Sequence, residues 1–182
     1  MSTRDLVYVA LFAAIMAVLG LVPAITLPVV GVPITAQSMG CMLAGGVLGA
    51  RRGALSMLLF LALVAAGLPL LAGGRGGLGV FAGPSVGFLI GFPVAAFAVG
   101  HMTERLWRRL TLPVSLAINL VGGIVVLYAL GVPGIALVTG RTLTEALVGS
   151  ALFLPGDLIK AVVAALVVVT VKRSHPVIAA AR

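Results

Sequence analysis

Residues 146–171 read ALVGSALFLPGDLIKAVVAALVVVTV, an apolar stretch in which Asp157 and Lys160 are the only charged side chains. A spacing of three residues puts both side chains on one face of a helix. A single charge at the centre of a bilayer costs roughly 2.5–3.5 kcal/mol on insertion scales, so intramembrane charges usually serve a function. The pair offers hydrogen-bond acceptors and donors close together, which suits a small solute with both N–H and C=O groups. The alternative is a purely structural ion pair.

The composition of the whole chain is that of a membrane protein. Its 182 residues are 62% hydrophobic and only 9% charged, whereas soluble domains carry about 25% charged residues. The net charge of +8 could suggest nucleic-acid binding, but the basic residues lie in short breaks between apolar runs. We therefore expect a lipid bilayer as the environment and no nucleic acid as a partner. The single cysteine, Cys41, excludes an internal disulfide and a Cys-based metal cluster, and we expect no cofactor.

The apolar runs predict an all-α fold, with residues 1–182 forming a single domain of transmembrane helices. A helix needs about 17–25 residues to cross a bilayer core. The second run is shorter than that, so we expect it to be tilted or preceded by a loop that re-enters the bundle. A short amphipathic helix over 142–154 should lead into the last span. The six predicted spans are about 5–22, 36–50, 53–71, 84–100, 112–130 and 155–171.

The orientation follows from the distribution of Lys and Arg. Lys160 lies within a span, and only Arg75 and Arg141 fall on the side away from the termini. By the positive-inside rule both termini are cytoplasmic, which predicts a multi-pass protein of the plasma (inner) membrane. The nine remaining basic residues share the side of the termini: Arg4, Arg51, Arg52, Arg105, Arg108, Arg109, Lys172, Arg173 and Arg182.

Two outward loops differ from ordinary solvent-exposed connections. Residues 23–35 are apolar and uncharged and contain three prolines, which predicts a lid packed over the mouth of the bundle. Residues 72–83 contain six glycines together with Arg75 and Phe81. Glycine permits positive φ and close backbone approach to a ligand, so this loop is a candidate for the binding site. A merely flexible connector is the alternative.

Small residues recur at the spacing that allows close helix packing. Gly87, Gly91 and Ala95 form one such stripe, and we interpret it as packing within the bundle. The first helix carries a similar pattern in two registers. Either pair would form a face for a neighbouring helix in the chain or for a separate protein: Ala10 with Ala14, or Ala13 with Ala17.

Enzyme motifs are weak in this chain. Residues 83–87 match G-x-S-x-G in letters, but His101 follows Ser85 by sixteen residues on the same predicted helix, about 24 Å away at 1.5 Å per residue. A serine hydrolase needs the histidine beside the serine. His101 with Glu104 gives only two candidate metal ligands, and no P-loop motif is present. We therefore expect no catalytic residues, no metal site and no enzymatic activity.

Two motifs resemble those of a known family. Residues 154–161, LPGDLIKA, and residues 76–92, GGLGVFAGPSVGFLIGF, resemble the two signatures of the BioY family, the biotin-specific capture (S) subunits of energy-coupling-factor (ECF) transporters. The resemblance covers nearly the whole chain and includes PVVGVPITAQ at 28–37. It implies a six-helix subunit that binds biotin from outside and works with a transmembrane coupling subunit and two ATP-binding cassette (ABC) ATPases. It also implies that an Ala-xxx-Ala face on the first helix contacts the coupling subunit.

The residues also suit biotin chemically. A ureido ring carries two N–H donors and one carbonyl acceptor, which Asp157 and Lys160 can match, while Lys160 or Arg75 can bind the carboxylate. Gln37 and Asn119 could orient the ring, or could instead form hydrogen bonds between helices. A capture subunit for another vitamin remains an alternative, as does an intramembrane enzyme or assembly subunit. The candidate ligand-binding residues are Asp157, Lys160, Gly77, Gly79, Phe81, Arg75, Ser85, Phe88, Gln37, Asn119 and Val32.

Overall fold

A computed structural model describes residues 1–26 and 31–178 of the chain. Two short antiparallel strands pair Ile25 with Ile34 and Thr26 with Pro33, and everything else that is regular in the described residues is helical. The predicted all-α class is therefore confirmed. The elements are α1 Thr3–Leu19, β1 Ile25–Thr26, β2 Pro33–Ile34, α2 Gln37–Leu48, α3 Ala50–Ala65, α4 Val86–Arg105, α5 Leu112–Ile118, α6 Val126–Thr139, α7 Leu143–Ser150 and α8 Leu154–Ser174.

The break between the second and third predicted helices is a single residue, Gly49. Its φ of 86° is open to glycine and strained for other residues, so the chain turns here without a loop. The first backbone N–H of α3, from Ala50, is capped by the Glu104 carboxylate at 2.9 Å. Arg51 and Arg52 therefore lie in the first turn of α3, and the helix begins three residues before the predicted start at 53.

The outer end of α3 also differs from the prediction. The helix ends at Ala65, six residues before the predicted end at 71, because Gly67 takes a φ of 105° that a helix cannot continue. The chain then forms a glycine-rich loop that is longer than the predicted one. Leu71 and Arg75 pair as an isolated β-bridge within it, and a 3₁₀ turn, Leu78–Ala82, leads towards α4.

The fifth predicted helix continues well beyond 130. It consists of α5, a π-helical turn over Asn119–Val125, and α6, which ends at the left-handed Gly140. Gly131 and Pro133 lie within α6, and Gly131 lies against the Phe88 ring, where a side chain would not fit. Gly and Pro are tolerated within membrane helices where neighbouring helices support them.

The remaining helices shift by a few residues. α1 and α4 cover 3–19 and 86–105 instead of 5–22 and 84–100, and α8 covers 154–174 instead of 155–171. The predicted helix over 142–154 is present as α7 followed by a 3₁₀ turn, Ala151–Phe153. Thr142 caps α7 and Glu145 returns the bond, which explains why the helix starts there.

Among the residues that the structure describes, three continuous helical segments have the length and apolar composition to cross a membrane: Val86–Arg105, Leu112–Thr139 and Leu143–Ser174. α1 and α3 are shorter, with 17 and 16 residues, and lie near the lower limit. α2 has only 12 residues, and most of them are buried, so it lies inside the bundle. Six helical segments result when α5 to α6 and α7 to α8 are each counted once, in line with the predicted number.

Small residues bring the helices together as the sequence predicts. A side chain added at Gly87 would collide with the backbone of Leu130 and Gly134 on α6, and one at Gly45 would collide with Ala96 on α4. Apolar side chains also cover the outside of the bundle, including Val94 and Leu166. An apolar core together with an apolar surface is what a bilayer requires.

The cytoplasmic side predicted from charge forms one end of the bundle. There Arg52 bonds to the Asp5 carboxylate at 3.3 Å and to the carbonyl oxygen of Val177 at 3.1 Å. Lys172 donates to the Leu110 carbonyl at 3.1 Å and lies 5.4 Å from the centre of the Trp107 ring. Arg52 and Lys172 thus hold separate segments of the chain together at this end, which we call the basic end.

Candidate functional site

A cavity opens at the other end of the bundle, between the short hairpin, the glycine-rich loop and helices α2, α4, α6 and α8. It contains about 550 Å³ of empty space, including the part open to solvent. Its walls are mostly apolar, with the polar groups gathered on a few side chains. The apolar lining residues are Val32, Pro33, Ile34, Leu71, Phe88, Leu89, Phe92, Leu127 and Phe153; the polar ones are Thr35, Gln37, Ser38, Arg75, Ser85, Asp157 and Lys160.

Asp157 and Lys160 lie in the first two turns of α8. Pro155 suits the start of this helix, because its missing N–H would have no helical partner. Asp157 follows in the first turn, where the helix dipole favours an anion. The Lys160 ammonium lies 2.8 Å from Oδ1 of Asp157, and the side chains are only 15% and 6% exposed. The predicted pair is therefore formed, and it faces the cavity.

Two further hydroxyl groups complete this cluster. Ser38 Oγ donates to Asp157 Oδ1 at 3.0 Å and accepts from the Lys160 ammonium at 3.0 Å. Tyr128 donates its hydroxyl to the other carboxylate oxygen, Oδ2, at 2.7 Å. Asp157, Lys160, Ser38 and Tyr128, here called the polar cluster, join α2, α6 and α8 through hydrogen bonds.

Sequence reasoning missed Ser38 and Tyr128. A serine one residue into a short apolar helix gave little signal, since small polar residues are common there. Tyr128 was a stronger hint, because it is the only tyrosine outside α1. Its hydroxyl needs a partner when the ring is buried among apolar helices.

Aromatic rings form one wall beside the polar cluster. The Phe88 ring meets the Tyr128 ring edge-on, with centroids 5.8 Å apart, and meets the Phe153 ring in a similar way at 6.1 Å. Such edge-to-face contacts are favourable for aromatic pairs. The predicted contact residue Phe88 thus lines the cavity and also braces Tyr128.

The glycine-rich loop contributes less to the cavity than the sequence suggested. Arg75 lines the cavity and is exposed, and its Nε donates to the Ala72 carbonyl at 3.2 Å. Gly77, Gly79 and Phe81 are not among the lining residues. Gly77 has a φ of 81° and its N–H bonds to the Val64 carbonyl at 2.8 Å, so its glycine is required by the turn. Phe81 is half-buried and packs against the core.

The two predicted amides, Gln37 and Asn119, are occupied by bonds between elements. Gln37 donates to the carbonyls of Met16 and Leu70 at 3.2 and 3.1 Å and accepts the Ala72 N–H at 3.0 Å. Asn119 donates to the Ala161 carbonyl at 3.2 Å and does not line the cavity. Both amides therefore form hydrogen bonds to other segments of the chain, which was the alternative to orienting the ligand, and Gln37 also borders the cavity.

Ser85 comes just before the first residue of α4, Val32 lies in the hairpin next to β2, and both line the cavity. Val32 is buried within an apolar cluster that includes Phe153. The Ser85 hydroxyl is buried and has no hydrogen-bond partner among the residues that the structure describes. A buried hydroxyl without a partner is unfavourable by about 1–3 kcal/mol. The lid predicted over 23–35 is described only in part, because residues 27–30 lie outside the described ranges.

The structure separates the two alanine pairs on α1. Ala13 is 3% exposed and lies in the core, with Ala17 packed beside it. Ala10 and Ala14 face outwards, away from the other described helices. Of the two pairs, only Ala10 with Ala14 is accessible to another protein. In residues 1–26 and 31–178, no group of three or more His, Cys, Asp or Glu side chains could hold a metal ion.

Known proteins are similar to this chain over nearly its whole length. A family model described as the BioY family matches residues 1–177. The chain belongs to the BioY family. It is 55% identical to "Biotin transporter BioY" of Rhizobium etli over 99% of both chains, and 51% identical to the protein of that name from Rhodobacter capsulatus over 95% of both. It is 44% identical to "Probable biotin transporter BioY" of Bacillus subtilis, over 93% of this chain and 91% of that one.

A solved structure agrees with this assignment. The fold matches the crystal structure of "the S-component for biotin from an ECF-type ABC transporter" with a TM-score of 0.91 and 32% sequence identity. The match covers 97% of this chain and 96% of that one. The agreement extends over the whole bundle, including the helices too short to be recognised as spans by length alone.

Proposed function

We propose that this protein binds biotin in the cavity and takes part in its uptake as the substrate-capture (S) component of an ECF-type ABC transporter. The observation that carries the proposal is the polar cluster, set in an apolar cavity, in a member of the BioY family. Relatives described as biotin transporters, and a structural match described as a biotin S-component, support biotin over another vitamin. They equally support a transport protein over an enzyme.

The polar cluster matches the ureido ring of biotin. The Asp157 carboxylate accepts one ureido N–H, and the Lys160 ammonium donates to the ureido carbonyl. The Ser38 hydroxyl contacts both side chains. Because a hydroxyl donates and accepts, it can keep a hydrogen bond with either Asp157 or Lys160 as the ligand enters. Forming these bonds away from water makes them stronger than on a surface.

The parts of biotin outside the ureido ring suit the rest of the cavity lining. The sulfur-containing ring of biotin and the methylene groups of its valerate chain are apolar, and Phe88, Phe92 and Leu127 offer apolar walls. Among the lining residues, two cations stand against one anion, so a ligand with one negative charge balances the site. Arg75 at the exposed rim is the side chain we assign to the valerate carboxylate. Ser85 supplies a further hydrogen bond from α4.

The arrangement of charge gives the direction of capture. The basic end faces the cytoplasm by the positive-inside rule, so the cavity opens to the outside of the plasma membrane. From Lys160 to Lys172 at the basic end, α8 rises about 18 Å at 1.5 Å per residue, which leaves the polar cluster within the membrane. Ala10 and Ala14 on the exposed face of α1 are the contact we assign to a transmembrane coupling subunit, which two ABC ATPases would drive.

The test is direct binding. The protein is purified in detergent, examined for co-purified biotin, and titrated calorimetrically with biotin, thiamine and riboflavin. We expect saturable binding of biotin at one site and none of the other two vitamins. Binding of thiamine or riboflavin instead would favour the second candidate, a capture subunit for another vitamin. No binding of any of the three would contradict the proposal.

A further inference from the structure

The helix from Leu112 to Thr139 changes its winding in the middle. Over Asn119–Val125 it becomes a π-helix, in which each N–H bonds one residue further back than in an α-helix. Such turns are rare and frequently occur at functional sites. Gly122 and Gly123 make room for the wider turn, because side chains there would collide with Val99 and Met42.

Two side chains, one at the first residue of this turn and one beyond its last residue, reach the same neighbouring helix. Asn119 donates to the carbonyl oxygen of Ala161, and Tyr128 donates to the carboxylate of Asp157. Both acceptors are on α8, four residues and about one turn apart. In a regular α-helix, nine residues at about 100° each would place Asn119 and Tyr128 on opposite faces. One extra residue in the π turn reduces the angle to about 80°, so that both can face α8.

The Tyr128 hydroxyl acts on the cavity through Asp157. Tyr128 is not among the residues that line the cavity, but Asp157 is. The hydroxyl bonds Oδ2, while Oδ1 faces Ser38 and Lys160. The ring itself is held by the edge-on contact with Phe88. A carboxylate fixed in this way presents Oδ1 in one direction, towards the groups that the ligand meets.

We infer that Tyr128 is a positioning residue, which the π turn directs onto Asp157 so that the carboxylate selects the ureido N–H of the ligand. The inference rests on the proposed binding of biotin and adds the device that sets its selectivity. A carboxylate free to rotate would still attract the ureido ring. It would discriminate less well between a ureido nitrogen that carries a hydrogen and one whose hydrogen has been replaced.

The test compares Tyr128→Phe with Tyr8→Phe. The first removes the hydroxyl and keeps the ring against Phe88. The second alters the only other tyrosine of the chain, whose hydroxyl accepts a bond from Arg4 at the basic end. Biotin binding is titrated for the wild type and both variants. We expect Tyr128→Phe to raise the Kd by about three- to tenfold, the range for one hydrogen bond, and Tyr8→Phe to leave it unchanged.

A second ligand separates positioning from loosened packing. The same titrations use two biotin analogues, each methylated at one ureido nitrogen. The wild type should reject the analogue blocked at the nitrogen that Asp157 recognises, and Tyr128→Phe should reduce that rejection. In an Asp157→Asn background, Tyr128→Phe should have no further effect, because both changes act on one interaction.

Three results would overturn the inference. Tyr128→Phe could match Tyr8→Phe, or it could weaken biotin and both analogues by one common factor, which is the mark of general loosening. In either case, wild-type binding of biotin would leave the proposed function standing. If the wild type itself failed to bind biotin, the proposed function would fail, and this inference with it.

Discussion

Two acid–base pairs lie in the part of the chain that the structure describes, Asp157–Lys160 and Asp5–Arg52, and they differ in what they join. Arg52 bonds to Asp5 on α1, to the carbonyl of Leu48 on α2 and to that of Val177 beyond α8, so it holds separate segments together. Asp157 and Lys160 are on one helix, so their own ion pair fixes no second segment, and it is the hydroxyls of Ser38 and Tyr128 that link it to α2 and α6. The side chains of Arg52 and Asp5 are 23% and 29% exposed, whereas those of Lys160 and Asp157 are 15% and 6% exposed and border a cavity.

The difference indicates how to recognise a binding pair. Ion pairs that hold a fold together connect elements that would otherwise separate. An ion pair within one helix joins no separate elements by itself, and burial of its charges is unfavourable unless other groups bind them. On this view, changes at the cavity should affect binding, and changes at the basic end should affect stability.

The largest expected effect is at the cavity pair. We expect Asp157→Asn and Lys160→Ala each to weaken biotin binding at least tenfold, or about 1.4 kcal/mol, because each removes a charged partner of the ureido ring. The matched variant at the basic end is Arg52→Ala, which should lower the melting temperature and leave the Kd unchanged. Calorimetric titration and thermal unfolding of the three purified variants measure both quantities. Wild-type affinity in both cavity variants would return that pair to a structural role.

The sequence predicted the pair because charges within an apolar run are conspicuous. It could not show which way the helices face, since α1 and α8 are apolar all around and have no distinct polar side. For this reason Ala10/Ala14 and Ala13/Ala17 could not be distinguished until the structure showed one pair buried and one exposed. A membrane removes the contrast between inner and outer residues on which helix-face prediction depends.

Local backbone geometry also limited the sequence prediction. The hydrogen bond from Tyr128 to Asp157 depends on the π turn, and no pattern of residues in 112–130 predicts a change from α-helix to π-helix. Gly77 was assigned to ligand approach, but the structure shows a turn that needs a positive φ. The helix ends at Gly49 and Gly67 were misplaced for the same reason, because a glycine's φ cannot be inferred from its presence.

The second expected effect concerns uptake and not binding. Ala14→Trp should reduce labelled-biotin uptake by at least about fivefold in cells that supply the coupling subunit and ATPases, because a large side chain prevents close helix approach. Biotin binding by the purified chain should be unchanged, since Ala14 faces away from the cavity. Ala13→Trp is the matched variant: overpacking the core there should lower stability by about 1–3 kcal/mol. Normal uptake by Ala14→Trp would rule out this face as the contact.

The third effect tests the two glycines of the outer loop. Gly77→Val should destabilise the protein by about 1–3 kcal/mol, because valine is strained at a positive φ. Gly79→Val should change little, since a Cβ at Gly79 meets no atom within 4 Å and its φ is not positive. Thermal unfolding and biotin titration of both variants separate the roles. If Gly79→Val abolished binding without loss of stability, the loop backbone would contact the ligand after all.

The smallest expected effect is at Ser85, where removal of the hydroxyl should weaken binding but leave stability equal or slightly higher. These opposite directions make it the sharpest test of the cavity end. Ser85 is 8% exposed, and its hydroxyl has no partner among the described residues. Ser85→Ala removes that buried group, so the ligand-free protein should be equally or slightly more stable. Biotin binding should weaken by about three- to tenfold, because the ligand loses one hydrogen bond. Ser56→Ala is the matched control: this buried hydroxyl already donates to the Gly53 carbonyl at 2.8 Å and does not line the cavity. It should lose stability and keep its affinity. Unchanged binding in Ser85→Ala would show that the ligand does not reach this hydroxyl, and the cavity would then recognise biotin from the α8 side alone.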